Sequence, residues 1–136
     1  MKTFKLKALR IIESVHNNIK VHNINLIDGL TINREDEQNR WVIEAYISRD
    51  YMELFKRLHK EREEIMVEAK ITKESNEPAT FITSIIGLNE IGDQMNVLLI
   101  GTIVDRRKNK IEEMLRFLVN KGYQGEELLG KFKEML

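Results

Sequence analysis

The fold is decided by residues 95–122, which have the sequence MNVLLIGTIVDRRKNKIEEMLRFLVNKG. Up to Val104 apolar residues recur mostly at every second position, as in a β-strand. From Ile111 onward they recur at every third and fourth position, as in a helix. The sequence therefore predicts a mainly β fold with α, in which residues 1–104 form an antiparallel β-barrel core. Residues 105–136 are predicted to form a C-terminal two-helix hairpin that packs on the barrel as part of one structural domain.

Seven to eight strands are predicted from the alternation within the β-region. They lie near residues 3–15, 19–27, 29–33, 41–47, 65–71, 80–86 and 95–104. The alternation slips at Ala8–Leu9, which indicates a β-bulge, and Asp28-Gly29 is a dipeptide typical of a tight turn. Gly101, inside the last strand, indicates either a bulge or a close approach of two backbones.

One short helix is predicted near residues 50–61, inside the β-region. The apolar residues with helical spacing are Tyr51, Leu54, Phe55 and Leu58. Asp50 and Glu53 have the spacing of a capping box, in which two side chains satisfy free N–H groups at the start of a helix. We therefore expect this helix to begin at Asp50.

The strand at residues 95–104 is apolar on both faces, because Val97 and Leu99 point one way and Leu98 and Ile100 the other. A strand with one face in water alternates apolar and polar residues instead. We therefore expect both faces of this strand to be covered, the outer one by the C-terminal helices.

The first helix of the C-terminal hairpin is predicted to have Asp105 as its N-cap and to end near Lys121. Gly122 would follow it in a left-handed conformation, and a second helix would begin near Gly125. The stripe expected to hold the helices together and onto the sheet consists of Leu115, Leu118, Leu128, Leu129 and Phe132.

The apolar positions of that first helix cover about 200° of arc, which is wider than one packing surface requires. The excess predicts a surface for a partner, and Met114, Phe117 and Tyr123 are the residues expected to contact it. The favoured function is a non-enzymatic interaction or assembly module, which binds an unknown protein partner or associates with itself.

A small-ligand or lipid-binding β-barrel is the alternative function, because a closed barrel of about eight strands can hold one apolar ligand. An enzyme is a third hypothesis, which the sequence disfavours because the predicted interior positions are apolar rather than titratable. Neither a Gly-x-Ser-x-Gly motif nor a glycine-rich phosphate loop is present. We therefore predict no catalytic residues and no cofactor.

Three groups of polar residues are candidates for a metal or anion site. His16 and His22 flank a predicted turn, but without cysteine or nearby paired carboxylates they lack further zinc ligands. The consecutive acids at residues 35–37 diverge rather than converge on a cation. The basic cluster at residues 106–110 is a candidate contact for a phosphate or an acidic partner, although a solvated helix face explains it better. We predict no metal site.

The composition is that of an ordinary globular protein, with 42% hydrophobic and 32% charged residues and no cysteine. Lys and Arg together number 22, as do Asp and Glu, and the net charge of zero argues against a nucleic-acid partner. No apolar run is long enough to span a membrane, and charges near the N-terminus interrupt any signal peptide. We therefore expect no membrane association and a cytoplasmic location.

Three segments of the chain resemble the YwpF-like family, small proteins of Firmicutes with no established biochemical function. They are the opening Met1–Leu6, the strand Trp41–Tyr46 and the closing hairpin Arg116–Leu136. The resemblance implies a β-barrel core with a C-terminal helix pair, and a barrel similar to the tube-forming proteins of type VI secretion. It implies no catalytic or ligand-binding residue.

Overall fold

The computed structural model describes residues 1–15, 18–104 and 106–135, with the side chains of 106–112 and 135 left aside. The chain divides into two compact units, Met1–Ile103 and Val104–Leu136. Each unit is described by itself below. The predicted packing of the hairpin on the barrel stays a prediction.

The first unit is an antiparallel β-barrel. Its strands are β1 (Lys2–Val15), β2 (Asn18–Ile24), β3 (Leu26–Asn33), β4 (Arg40–Ser48), β5 (Ile65–Ile71), β6 (Ala79–Ile91) and β7 (Gln94–Ile103). Their order is β2-β1-β3-β4-β7-β6-β5, and an additional pairing of β1 with β5 closes six of them into a barrel. The seventh strand, β2, is bonded to β1 outside this closed ring. The predicted mainly β fold with a barrel core is confirmed.

The bulge predicted at Ala8–Leu9 lies one residue earlier in β1. The register between β1 and β5 shifts between Leu6 and Ala8, so that Lys7 is the extra residue. Because a bulge inverts the side-chain alternation, Leu6 and Leu9 are both buried although they are three positions apart. The shift therefore keeps both halves of this long strand facing the core.

The predicted tight turn at Asp28-Gly29 is wrong. Both residues lie inside β3, where Gly29 pairs with Ala45, and the register with β4 shifts between Leu26 and Asp28. A Cβ atom on Gly29 would lie 2.9 Å from the backbone oxygen of Glu44 and 2.9 Å from Leu6 Cδ2. The glycine is therefore required by a close approach beside a bulge, and not by a chain reversal.

A β-hairpin joins β6 to β7 and was not predicted. β6 continues past the predicted end at residue 86 to Ile91, which pairs with Gln94. Gly92 has a φ of 59° and forms the turn with Asp93. At Gly101 the pairing with Thr83 is regular, and an added Cβ would lie 2.7 Å from Thr83 Cα. Gly101 therefore marks a close approach of backbones, which was one of the two predicted alternatives.

The helix predicted near residues 50–61 is confirmed as a 3₁₀ turn, Arg49–Tyr51, followed by α1 (Met52–Glu61). The predicted capping by Asp50 is wrong. Ser48 Oγ accepts a hydrogen bond from the backbone N–H of Asp50 at 3.2 Å, and Tyr51 at the N-cap of α1 makes no capping bond with its side chain. The cap therefore belongs to the preceding 3₁₀ turn.

The barrel interior is filled by large apolar side chains. The largest that are fully buried include Phe55, Phe81, Leu9, Ile11, Ile43, Ile47, Leu58, Met95 and Leu99. Along β7 the inward Val97 and Leu99 are buried, whereas the outward Leu98 and Ile100 are half-buried. The side chain of Leu98 packs against Gly87 of β6. A Cβ atom added to Gly87 would lie 3.3 Å from Leu98 Cδ1. The outward Leu98 is therefore partly shielded by contact with the adjacent strand β6.

The second unit is a helical hairpin of α2 (Arg106–Asn120) and α3 (Gly125–Met135), as predicted. Gly122 has a φ of 95°, its N–H bonds Val119 O at 3.0 Å, and the N–H of Tyr123 bonds Leu118 O at 3.2 Å. These two bonds form a Schellman motif and confirm Gly122 as the residue after the helix. The predicted N-cap, Asp105, lies outside the described residues.

The inner stripe predicted for the hairpin is only partly buried. Leu118 is 3% exposed, and Leu115, Leu128 and Phe132 are half-buried. Leu129, which was predicted to face inward, is 56% exposed. Leu129 therefore adds little to the contact between the two helices, and the packing of the stripe on the sheet stays a prediction.

Candidate functional site

A buried carboxylate lies at the C-terminal end of β1. Glu13 continues the inward alternation of Leu9 and Ile11, and its side chain is 2% exposed. Burying an ionised carboxylate is costly unless charged or hydrogen-bonding groups surround it. The partners of Glu13 therefore define the most concentrated polar cluster among the described residues of the barrel.

Two arginines and one histidine surround Glu13, and we call these four residues the Glu13 cluster. Arg57, on α1, donates from Nη1 to Oε2 at 2.8 Å and from Nη2 to Oε1 at 3.0 Å, which is a bidentate arrangement. Arg62, which follows α1, donates from Nη2 to Oε2 at 3.2 Å and to the carbonyl oxygen of Ser14 at 3.1 Å. His22 Nε2, on β2, lies 3.0 Å from Oε1.

These contacts keep Glu13 ionised. The hydrogen bond from Arg57 is the largest effect that lowers the pKa of Glu13 to about 2, with further hydrogen bonds from His22 and Arg62, while burial opposes the shift. The same carboxylate raises the pKa of Arg57. A carboxyl group with so low a pKa does not exchange protons near neutral pH, so the geometry suits fixing α1 to β1 and β2 better than acid–base catalysis.

A surface groove of about 190 Å³ adjoins the cluster and is lined by Glu13, Arg62 and Ile65 among others. Arg62 donates from Nε and Nη2 to Glu13 and from Nη2 to the carbonyl of Ser14, so these two nitrogens are engaged within the chain. An incoming anion would have to compete with a carboxylate already in place. An arginine in a groove usually favours anion binding, but here the neighbouring Glu13 carboxylate makes the groove a poor anion site.

Of the two histidines weighed as a metal pair, His22 contacts Glu13, and His16 lies outside the described residues, so the pair stays a hypothesis. The third histidine, His59, is exposed on α1. In the described part of the chain, no group of three or more His, Cys, Asp or Glu side chains converges as a metal site would. Across the same residues, no helix is both long and apolar enough to cross a bilayer.

Two of the acids at residues 35–37 brace the loop before β4, each with a different partner. Glu35 Oε2 lies 3.2 Å from the amino group of Met1, and this hydrogen bond lowers the pKa of Glu35. Asp36 accepts bonds from the backbone N–H and from Nε of Arg40, both at 2.9 Å, which lower its pKa. The structure does not describe the side chains of the basic cluster at 106–110, so the predicted anion contact there stays a prediction.

The residues predicted to contact a partner lie on or near α2. Phe117 is 50% exposed, with Lys121 Nζ 4.6 Å from the centre of its ring. Met114 is half-buried one turn before it, and the half-buried Tyr123 has Lys131 Nζ 5.8 Å from its ring centre. The structure therefore puts Phe117 at the surface, while Met114 and Tyr123 present smaller fractions of their side chains.

The Glu13 cluster was missed in the sequence. One signal was available, because Glu13 is in phase with the apolar Leu9 and Ile11 on the inward side of its strand. An acid at a core position requires a charged partner, but nothing in the local sequence identifies it. Arg57 and Arg62 come from a different part of the chain. They lie in a run of mixed positive and negative residues, which is typical of the solvent-exposed face of a helix.

Comparisons with known proteins point to one family. The sequence model described as "YwpF-like protein" matches residues 2–135. The chain is 36% identical over 136 residues to the "Uncharacterized protein YwpF" of Bacillus subtilis (strain 168), with 100% of each chain covered. A solved structure described as a hypothetical protein from Staphylococcus aureus superposes with a TM-score of 0.70 at 28% identity, covering 99% of this chain and 92% of that chain. The similarity to type VI secretion tube proteins stays a prediction.

Proposed function

The chain belongs to the YwpF-like family, and from this premise we propose that it is a non-enzymatic interaction module whose α2–α3 hairpin binds a protein partner. The observation that carries the proposal is the exposed apolar surface of that hairpin. Phe117, Val119 and Leu129 are each at least half exposed, although large apolar side chains stabilise a fold only when they are buried.

The interior of the hairpin itself is small, which supports this proposal. Among its described side chains Leu118 alone is buried. A helix pair with so little core and three exposed apolar side chains resembles one half of an interface, in which aromatic residues supply much of the binding energy. Phe117 is the aromatic residue best placed to do so.

A non-enzymatic role is supported by the chemistry of the Glu13 cluster. Its carboxylate is ionised far below neutral pH, and its arginines are bonded to it. Groups that serve as general acids or bases need pKa values near the working pH. The charges of this cluster are thus used to hold elements of the barrel together.

The alternative, a small-ligand or lipid-binding barrel, has less support. Phe55, Phe81 and Met95 are fully buried in the barrel core together with aliphatic residues from the strands. A ligand inside the barrel would have to displace these side chains. Native mass spectrometry of the purified protein tests this alternative, because a retained apolar ligand adds a defined mass.

The test of the proposed function compares Phe117→Ala with a matched control, Ile27→Ala. Ile27, on β3, is a large apolar residue that is 53% exposed, so both changes remove exposed apolar surface. Each protein is used as bait, and captured proteins are identified by mass spectrometry. We expect a partner captured by wild type and by Ile27→Ala to be lost with Phe117→Ala, while the melting temperature changes little.

Two results would contradict the proposal. One is a partner captured equally by wild type and Phe117→Ala, which would place the interaction elsewhere. The other is a large fall in melting temperature on Phe117→Ala with capture unchanged, which would make Phe117 a packing residue. A site-specific photocrosslinker at position 117 gives an independent measurement, because it labels only proteins that touch this residue.

A further inference from the structure

Among the described strands, β2 is paired on one edge only. It is hydrogen-bonded to β1 over seven residue pairs, from Leu9–Ile24 to Val15–Asn18, and stands at the end of the strand order. Within residues 1–15, 18–104 and 106–135, no other strand pairs with its second edge. Alternate N–H and C=O groups of β2 therefore point outward in a row, which is the arrangement that a further strand would extend.

Most of the features that usually protect an edge strand are absent from β2, and Lys20 is the exception. Proteins blunt such edges with proline, with bulges or with charged side chains, lysine above all. β2 contains no proline, its register with β1 does not shift, and Lys20 is its only formally charged residue. Ile19 is 74% exposed and Val21 is 38% exposed, and they share one face. The edge is thus regular, apolar on one face and open.

The contacts on the other face of β2 hold it in place. His22 bonds the buried Glu13, and Ile24 is buried in the core. Immediately after the strand, the backbone N–H of Asn25 donates to the hydroxyl of Tyr51 at 2.9 Å. The strand is therefore ordered before any partner arrives, which lowers the entropy cost of adding another strand.

We propose that β2 is a homodimerisation edge, pairing antiparallel with β2 of a second copy about a two-fold axis at Val21. Val21 is the midpoint of Asn18–Ile24, so this register pairs every residue of the strand. It places Val21 opposite Val21, and Lys20 opposite His22. An axis at Lys20 would instead place two lysines opposite each other, which destabilises a strand pair. Because β2 belongs to the first unit and the hairpin is the second, the proposal goes beyond the proposed function.

The partner is a second copy because the edge complements itself. A two-fold antiparallel pair joins the same residues of both chains, as the commonest oligomers do. The β-branched Val21 would meet its own copy at the axis, and β-branched side chains pack well on a pleated surface. The two barrels would then share one continuous antiparallel ladder through β2.

A cysteine at position 21 tests the proposed register directly. The chain contains no cysteine, so Val21→Cys introduces a single thiol. Opposite residues in an antiparallel pair have Cα atoms about 4.5–5.5 Å apart, which a disulfide can bridge. Ile27→Cys is the matched control, because Ile27 is also exposed but its strand β3 is bonded to β1 and β4. We expect mild oxidation to crosslink Val21→Cys and to leave Ile27→Cys mostly uncrosslinked.

Size-exclusion chromatography with light scattering provides the second measurement, over a concentration series. We expect a dimer for wild type and Ile27→Lys, and a dissociation constant raised about tenfold or more for Val21→Lys, which sets two lysines face to face. Circular dichroism checks that the variant folds, and Ile19→Lys replaces it if it does not. Phe117→Ala is expected to leave this dimer intact, which separates it from the function proposed for the hairpin.

The proposal is overturned by a wild-type protein that stays monomeric at millimolar concentration. It is also overturned by a dimer that persists unchanged in Val21→Lys and Ile19→Lys, because another surface would then hold the copies together. Equal crosslinking of Val21→Cys and Ile27→Cys would indicate random collision and would count against the two-fold register.

Discussion

The Arg57 guanidinium donates two hydrogen bonds, at 2.8 and 3.0 Å, to the carboxylate of Glu13, which lies 44 positions earlier in the chain. One residue belongs to α1 and the other to the inward face of β1. The pair fixes the helix to the barrel by a bidentate contact whose geometry lysine does not reproduce. Because Glu13 is buried, the pair also couples the stability of the fold to pH.

The barrel is expected to lose stability in acid through Glu13. The pKa of Glu13 falls from 4.5 to about 2 on folding, so the folded state favours the ionised carboxylate. The stabilisation is therefore fully present above pH 4.5 and is lost as the pH falls from 4.5 towards 2. The shift corresponds to about 3 kcal/mol. Urea unfolding at a series of pH values measures it.

Glu13→Gln is the control for this pH dependence. The amide cannot ionise, so this variant is expected to be less stable than wild type at pH 7 by about 2–3 kcal/mol, because the arginines lose their charged partner. Its stability should then change less between pH 4.5 and 2. A variant with the same slope as wild type in that range would assign the acid sensitivity to other carboxylates.

Two glycine-to-alanine changes are expected to have opposite effects. At Gly101 a Cβ would overlap the backbone of Ile82 and Thr83, so Gly101→Ala should destabilise the barrel by about 3 kcal/mol. Gly130 is an exposed residue of α3 with no atom within 4 Å of the added Cβ. Gly130→Ala should stabilise α3 by roughly 1 kcal/mol through helix propensity. Circular dichroism during thermal unfolding compares the two, and a tolerated Gly101→Ala would contradict the close approach.

The two leucines Leu118 and Leu129 are expected to respond differently to truncation. Leu118 is buried, so Leu118→Ala should cost about 2–5 kcal/mol and unfold the hairpin. Leu129 is exposed, so Leu129→Ala should change the stability by less than about 0.5 kcal/mol. The amide signals of residues 113–134 in a heteronuclear NMR spectrum show whether the hairpin remains folded. Similar losses for both leucines would place Leu129 in the hairpin core after all.

The strand β7 is expected to have the most slowly exchanging amides of the protein. It is hydrogen-bonded to β4 on one edge and to β6 on the other, and Val97 and Leu99 are fully buried. Amide exchange in such a strand requires opening of the whole barrel, whereas a free edge exchanges from the folded state. Hydrogen–deuterium exchange by mass spectrometry measures this. Fast exchange in β7 at low protein concentration would contradict the described pairing.

The kind and approximate position of most elements could be predicted from the amino-acid sequence. The period of two fixed the strands, and the period near 3.6 fixed α1 and the hairpin, because a buried face imposes its spacing on the local sequence. Gly122 was identifiable as the end of α2, because few residues other than glycine adopt its left-handed backbone. These are local properties, set within a few residues of one another.

Which distant groups meet became evident from the folded chain alone. The dipeptide Asp28-Gly29 is compatible both with a tight turn and with a close contact between Gly29 and Leu6. The position of the neighbouring strand distinguishes the two. The pairing that closes β1 onto β5 and leaves β2 with a free edge likewise depends on all the strands at once. Glu13 and Arg57 each resemble ordinary charged residues until the fold removes the carboxylate from water and brings the guanidinium to it. The spacing of apolar residues along a helix or strand indicates which of its faces is buried. The residues that this face contacts across the core depend on the packing of the whole chain.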